Sequence, residues 1–371
     1  MISDHREVQV AASGAVKRTP VRKPSRSSQD APSGDRMGRV AVMGAGSWGT
    51  ALALVLAGKG YQVDLWGQNP ERVALLADER ENRRYLPGFP LPDNIRPVSD
   101  PAVAAGAEAV VMVVPSHGFR AVFQKIRPHL TANAAIISAT KGIENDTLLT
   151  MTQVMAEELA GAAGYRLGVL AGPSFAREVA EGLPTAVTVA ANDQSSAAFF
   201  QQLFFTERFR VYAGSDLIGQ ELGGALKNII AIAAGISDGL GYGTNARAAL
   251  ITRGLAEITR LGVKMGANPL TFAGLAGLGD LVLTCTGDLS RNRTVGLKLG
   301  RGMKIAEILA EMKMVAEGVK TTRSAWALAS RQGVEMPILE QVYRVLYQDK
   351  PCREAVRDLL ARDRRDEQEW Q

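Results

Sequence analysis

From Arg39 onward, short and nearly continuous apolar runs alternate with stretches whose apolar residues recur at helical spacing. Val40–Met43, Gln62–Trp66, Ala109–Val114, Ala134–Ala139, Arg166–Ala171 and Ala186–Ala190 read as strands. Unbroken apolar runs suit strands covered on both faces, since neither face meets water. Ser47–Lys59 and Pro70–Glu79 read as helices, and Tyr85–Pro97, with its four prolines, as a loop. The alternation predicts an α/β domain built on a doubly wound parallel sheet. Past Ala213 the strand signals stop. Gly, Ala and Leu at helical spacing then predict an all-α domain, closing with a mixed-charge, solvated helix face over Arg353–Glu369. A chain of 371 residues exceeds what one core comfortably holds. The expected division is a disordered tail over 1–36, a first domain over 37–213 and a helical domain over 214–371.

Charge changes this picture little. Before Met37, seven Lys and Arg residues face four acids in a Ser- and Pro-rich stretch without apolar period. Such a stretch buries too little apolar surface to fold, and it lacks the apolar core of a secretory signal. Met37 directly precedes the first strand, so a translation start there and a plain N-terminal extension both stay open. Of the formal net charge of +5, the rest of the chain keeps +2, which is no nucleic-acid footprint. Two cysteines, Cys285 and Cys352, make no disulfide framework and fit a reducing, cytoplasmic setting. Three histidines and no Cys/His cluster argue against a metal site. No apolar run is judged long enough to span a bilayer; Leu222–Ser237 is short, rich in Gly and Ala, and interrupted by a lysine.

Val40-Ala-Val-Met-Gly44-Ala-Gly46-Ser-Trp-Gly49 is a strand running into G-x-G-x-x-G and then a helix. Gly44 permits the tight turn and Gly46 lets the backbone approach a pyrophosphate. Gly49 allows close helix–strand contact, while the helix N-terminus attracts the anion. This context predicts a Rossmann-like site for NADPH or NADH. An acid at the end of the second strand would hold the ribose 2′-hydroxyl of NADH. Asp64 has the right spacing from Gly44 but lies inside the strand, whose end, Trp66-Gly67-Gln68-Asn69, carries no acid. Arg72 is near enough in sequence to meet a 2′-phosphate, which favours NADPH with NADH tolerated.

Candidate chemistry starts at Leu222–Ser237, where Lys227 is the only ionisable side chain. On a helix, Gly223, Gly224, Ile230, Ala231 and Ala234 share its face, and the small ones admit a neighbouring element or a ligand. Burial would lower the lysine pKa and suit it to proton transfer; snorkelling to solvent is the bland alternative. Lys141 follows the strand Ala134–Ala139, at the carboxyl edge where such sheets bind ligands. Gly172 and Ser174 follow the strand ending at Ala171. Asp280 can hydrogen-bond Lys227, with Thr284 and Asn228 completing the network. Ser290-Arg291-Asn292 reads as the N-terminus of a helix running to about Leu299 and as an anion cradle.

The segments GAGSWGTALA, VVPSHGFR, ATKGIE, AGPSFAREV, GLPTAV, GALKNIIAIAAGISDGLGYGTNARAALITRGLAE, LAGLGDLVLTCTGDLSRNR and GVEMP span the chain from about Gly38 to Leu360. Through them the chain resembles the bacterial-type NAD(P)-dependent glycerol-3-phosphate dehydrogenases. The resemblance implies a Rossmann-like domain plus an all-α domain of the 6-phosphogluconate dehydrogenase kind, and is compatible with a homodimer. It implies reversible reduction of dihydroxyacetone phosphate to sn-glycerol 3-phosphate, a phospholipid precursor. It also implies Lys227 as the acid/base residue, with Lys141 and Asp280 beside it. Lys141, Gly172, Ser174, Lys227, Asp280, Ser290, Arg291 and Asn292 would contact substrate. Gly44, Gly46, Gly49, Ser47, Trp48, Lys141, Ala176, Arg291, Val315 and Glu317 would serve the nucleotide. Gln68 stands at a cofactor-contacting position that is often basic in the family. Two other readings keep the glycine motif: a dehydrogenase acting on another hydroxyacid, and a non-catalytic nucleotide sensor, which would need no Lys227, Lys141 and Asp280 together.

Overall fold

The computed structural model describes residues 38–160, 164–312 and 316–363. The tail expected over 1–36, Val315 and the end of the expected C-terminal helix lie outside these. Strands β1 (Arg39–Met43), β2 (Gln62–Trp66), β3 (Ile95–Val98), β4 (Ala109–Met112), β5 (Ala135–Ser138), β6 (Arg166–Ala171), β7 (Thr185–Ala191) and β8 (Phe209–Gly214) form one sheet. Its order is β3-β2-β1-β4-β5-β6-β7-β8. Neighbours among β1–β6 run parallel. Side chains alternate between the two faces, as strand geometry requires. Val40, Val42, Leu65 and Val111 join the core on one face, and Ala41, Met43, Val110 and Met112 the core on the other.

Three features depart from the expected sheet. β3 lies inside the stretch read as a loop. It carries Pro97, and its place at the sheet edge is where a missing N–H is tolerated. β7 pairs antiparallel with β6, so the sheet is mixed. The only helix joining them, Ala176–Ala180, has five residues. At 1.5 Å per residue it is about 7.5 Å long, too short to recross the sheet face, so the chain turns back along the same edge. β8, parallel to β7, was not among the expected strands.

Helices α1 (Ser47–Gly58), α2 (Pro70–Glu79), α3 (Phe119–Ile126), α4 (Met151–Glu158), α5 (Ala176–Ala180) and α6 (Gln194–Phe204) accompany the sheet. Past Gly214 the described residues are helical. They comprise α7 (Leu217–Gly239), α8 (Gly243–Lys264), α9 (Pro269–Phe272), α10 (Asp280–Thr286), α11 (Arg291–Gly300), α12 (Ile305–Glu311), α13 (Glu317–Gln332), α14 (Pro337–Tyr347) and α15 (Cys352–Leu360). α7 is the axis of this half. Asp216 caps its N-terminus by accepting from the Gly219 N–H, and every residue from Gly219 to Ser237 is buried. α8, α10, α11 and α13 pack around it.

One stretch was passed over as apolar sequence. Pro269–Thr286 has 18 residues with mean hydropathy 1.3 and meets a membrane-span criterion by length and composition. It is broken into α9, a single π turn (Leu275–Gly279) and α10, and it carries a charged Asp280.

Candidate active site

The carboxyl ends of β1, β4, β5 and β6 release Gly44, Ser116, Lys141 and Gly172 at the same edge of the sheet. At β1, Gly44 takes φ +134 and its N–H donates to the Trp66 carbonyl at 3.0 Å. A Cβ at Gly44 would stand against the Val113 carbonyl, and one at Gly49 would overlap the Gly44 carbonyl. A Cβ at Gly46, by contrast, would meet nothing within 4 Å. Two glycines are therefore needed for packing, and the middle one faces open space. The N-terminus of α1 beyond it has no side-chain cap and no acid in its first turn. The Trp48 Nε1–H beside it is buried without a partner among the described residues. Uncapped N–H groups, open space and an orphaned donor suit a pyrophosphate, so these residues fit a dinucleotide. Ala176 and Trp48 both pack on the core of this sheet face.

Asp64 does not take part. Its carboxylate is buried and held by Arg96 of β3 at 2.7 Å, with Arg39 of β1 at 3.6 Å. Arg72 stands exposed in the first turn of α2, where Asn69 caps the helix by accepting from the Arg72 N–H.

Three charged side chains converge between the sheet and the helices. Lys227 is 6% exposed, so it does not snorkel. Its Nζ donates to Asp280 Oδ1 at 2.6 Å and to Thr284 Oγ1 at 2.6 Å. Thr284, one turn beyond Asp280 on α10, donates in turn to the Asp280 carbonyl at 2.6 Å. The other carboxylate oxygen, Asp280 Oδ2, accepts from Lys141 Nζ at 2.6 Å. One aspartate, 1% exposed, thus holds two ammonium groups that arrive from opposite halves of the molecule. The small face of α7 permits this meeting. A Cβ at Gly223 would press on the Ala276 carbonyl of the π turn, and Gly224 faces the Lys141 side-chain stem.

The Lys227 pKa is lowered to about 8, first by burial and further by the charge of Lys141; the Asp280 carboxylate opposes both without overcoming them. Lys141 also reaches the Gly172 carbonyl, at 3.5 Å, and Ser174 Oγ donates to that carbonyl at 3.1 Å. Asn228 packs against Gly318 of α13 rather than joining the lysine network.

Ser290 caps α11 as expected, its Oγ accepting from the Arg293 N–H at 3.2 Å. Arg291 is exposed at the first helical position, while Asn292 is buried and accepts from the Gly318 N–H at 3.0 Å. That bond ties α11 to the start of α13, where Glu317 sits. Burial raises the pKa of the Glu317 carboxyl against the opposing pull of Arg291, Lys141 and Lys227, the three cations near it. The expected substrate and nucleotide residues Lys141, Lys227, Asp280, Arg291 and Glu317 therefore lie in one electrostatic neighbourhood. Ser47, Trp48 and Ala176 belong to the glycine-loop side. The link from Lys141 to Asp280 and the role of Asn82 were not legible in the sequence. Asn82 donates to the Ala45 carbonyl at 3.0 Å and to Thr50 Oγ1 at 2.8 Å, from the short segment between α2 and the proline-rich stretch, where no period marks it.

A dinucleotide-type sheet facing a helical half that carries a buried, carboxylate-held lysine defines a class, the two-part nicotinamide-dependent oxidoreductases. Comparison narrows it. Residues 39–197 match the NAD-dependent glycerol-3-phosphate dehydrogenase N-terminus, and residues 216–357 match the corresponding C-terminus. The chain belongs to the NAD-dependent glycerol-3-phosphate dehydrogenase family. It is 58% identical over 327 residues to glycerol-3-phosphate dehydrogenase [NAD(P)+] of Desulfotalea psychrophila, covering 87% of this chain and 96% of that one. The Geobacter metallireducens protein of the same description is 58% identical over 326 residues, covering 88% and 97%. Among solved structures, glycerol-3-phosphate dehydrogenase from Coxiella burnetii superposes with a TM-score of 0.84 at 44% identity, covering 88% of this chain and 99% of that one.

Proposed function

We propose that this protein catalyses the reversible NAD(P)H-dependent reduction of dihydroxyacetone phosphate to sn-glycerol 3-phosphate, with Lys227 as the acid/base residue. The observation that carries the assignment of Lys227 is its buried ammonium, fixed by Asp280 and Thr284 and poised near pKa 8. When bound, the nicotinamide supplies or accepts the hydride. Reduction leaves negative charge on the substrate carbonyl oxygen. The Lys227 Nζ–H stabilises that charge and delivers the proton, and Lys141 places a second positive charge on the same aspartate. Arg291 suits the phosphate dianion through its forked donors, and Ser290 and Asn292 fix the helix turn from which it projects. Phosphate binding energy then orients the carbonyl at the far end of the substrate.

In the same reading, residues 37–213 serve the dinucleotide and 214–371 serve substrate and proton transfer. Gly172 and Ser174 close the substrate site. A cytoplasmic setting, a homodimer and supply of phospholipid backbones follow from the resemblance; fractionation and sedimentation equilibrium check the first two. The readings as a sensor or as a dehydrogenase of another hydroxyacid are weakened by the three-residue lysine–aspartate–lysine cluster and by the family membership.

The test is the absorbance loss at the reduced-nicotinamide band with dihydroxyacetone phosphate, for the parent protein and Lys227→Ala. The variant is expected to lose on the order of 10²–10⁴ in kcat while binding cofactor normally. Near-normal turnover would remove Lys227 from proton transfer. No turnover by the parent protein, with cofactor bound, would overturn the substrate.

A further inference from the structure

We infer that Glu221, a buried carboxylate on α7 that caps α4 across the two halves of the molecule, is a positioning residue for the reaction, setting the place of Lys141 against Lys227 and Asp280. The inference rests on the reading of Lys227 above and deepens it.

Glu221 is 5% exposed. Its Oε1 accepts from the Thr152 N–H at 2.8 Å and its Oε2 from the Thr152 hydroxyl. The Met151 N–H and the Thr150 hydroxyl also donate to it. The first N–H groups of a helix have no partner within it, and a carboxylate is favoured there. A local side chain would have satisfied them at less cost than a buried charge, as Asp216 does for α7 and Ser290 for α11. α4 is capped instead from a helix 69 positions further along the chain. The distant partner adds a tie. Met151, Val154 and Met155 of α4 join the core on one sheet face, whereas α7 is the axis of the helical half.

What the tie holds is the connection from β5 to α4, which begins with Lys141. Ile143 and Leu148 of this connection are buried in the core of the helical half together with Leu222 of α7. Ser324 of α13 donates to the Ile143 carbonyl at 3.3 Å, and Arg331 to the Thr147 carbonyl at 3.3 Å. On the sheet side, Arg120 of α3 holds Glu144 at 2.7 Å. Leu148 takes φ +62, a conformation that a leucine keeps only where its surroundings impose it. Glu221 fixes the far end of this strained, docked segment.

Glu221 and Lys227 stand on the same buried helix, about 9 Å apart along its axis. Gly224, midway between them, faces the Lys141 stem. One rigid element therefore carries the proton donor and also anchors the segment that delivers the second lysine. Lys227 faces Asp280 of α10, Glu317 of α13 and Lys141. Of these, only Lys141 arrives on the connection that Glu221 holds. If α4 slips from its cap, Lys141 withdraws from Asp280. Its repulsion of Lys227 then weakens and the carboxylate turns wholly to Lys227, so the Lys227 pKa rises from about 8 toward its ordinary 10.5.

The experiment is the pH profile of kcat for reduction of dihydroxyacetone phosphate by the full chain, with Tm measured alongside. The parent, Glu221→Gln, Thr152→Val, their double variant and Glu257→Gln are compared. Glu257 is the control: it is another buried carboxylate, accepting from the Ile338 and Leu339 N–H groups at 2.8 and 3.2 Å, but it joins two helices of the same half. Glu221→Gln is expected to lower kcat about tenfold, as a small misplacement of catalytic groups does, and to move the falling limb to more alkaline pH. Thr152→Val removes the partner hydroxyl and should move the limb the same way. The double variant should move it no further than Glu221→Gln does, since both break one link. Glu257→Gln should lower Tm and leave the limb in place. An unmoved limb in Glu221→Gln would overturn the proposal, as would an equal move in Glu257→Gln, which would make it a general effect of stability. If Glu221→Gln does not fold, an unmoved limb in Thr152→Val overturns the proposal and an alkaline move supports it. A parent that reduces the substrate with no limb near 8 would overturn the reading of Lys227 itself, and this inference with it.

Discussion

A lysine ammonium needs a reason to give up its proton near neutrality, and at Lys227 the reasons can be separated. Burial disfavours the charge and Lys141 repels it, while Asp280 stabilises it; the balance leaves the group at about 8, below the ordinary lysine value of 10.5. The sign of the pH dependence follows. Reduction requires the protonated form, so kcat for ketone reduction is expected to hold below about 8 and to fall as pH rises through it. Oxidation of the alcohol requires the neutral form and is expected to rise through the same region. Steady-state rates in both directions across this range check it. A limb at the ordinary lysine value in both directions would show that Lys227 does not carry the proton. The sequence marked Lys227 because one charge stood in an apolar helix. It could not rank burial against Asp280, since that ranking depends on how much water and which cations reach the group.

At the scale of elements, the approach of α11 to α7 places the Arg291 turn. Gly235 and Gly239 of α7 face the backbone of α11, and Gly296 and Gly300 of α11 face that of α7. A Cβ at Gly296 would overlap the Ile232 carbonyl oxygen, and one at Gly235 the Arg293 carbonyl oxygen. Gly296→Ala is therefore expected to push the helices apart, costing about 1–3 kcal/mol of stability. It should also raise KM for the phosphate substrate, because the Arg291 turn moves with α11. Denaturant unfolding and substrate kinetics together check it; unchanged stability and KM would show that the contact has room to spare. The same scale explains what was misread in the sheet. β3 was hidden by Pro97, which only an edge position tolerates. β7 runs backwards because α5 is too short to recross the sheet. Neither edge position nor crossing distance is a local property of the chain.

For the whole molecule, Asp280 is the joint. It takes Lys227 from α7 on one oxygen and Lys141 from the β5 edge on the other. Asp280→Asn is expected to leave NAD(P)H affinity intact and to lower kcat by on the order of 10² or more, since the proton donor loses its anchor. Because the carboxylate is what raises the Lys227 pKa, its removal should also move the reduction limb to more acidic pH than about 8. A limb that stays in place would mean that Asp280 does not set the lysine's charge state. The pH profile separates this outcome from a general loss of structure.

What the sequence determined by itself was local in origin. Strand–helix alternation, the strand–glycine loop–helix unit at Gly44–Gly49, the Ser290 cap and the apolar helix bearing one lysine all follow from chain geometry within a few residues. They led to the fold class and to most of the candidate site. Tertiary structure alone decided the rest. It put Lys141 and Lys227 on one carboxylate, committed Asp64 to two arginines, reversed β7, and drew Asn82 to the glycine loop. Each of these joins residues far apart in the chain. Distances, burial and shared partners exist only once the chain is packed, and they set which charges are stabilised and which remain for a ligand.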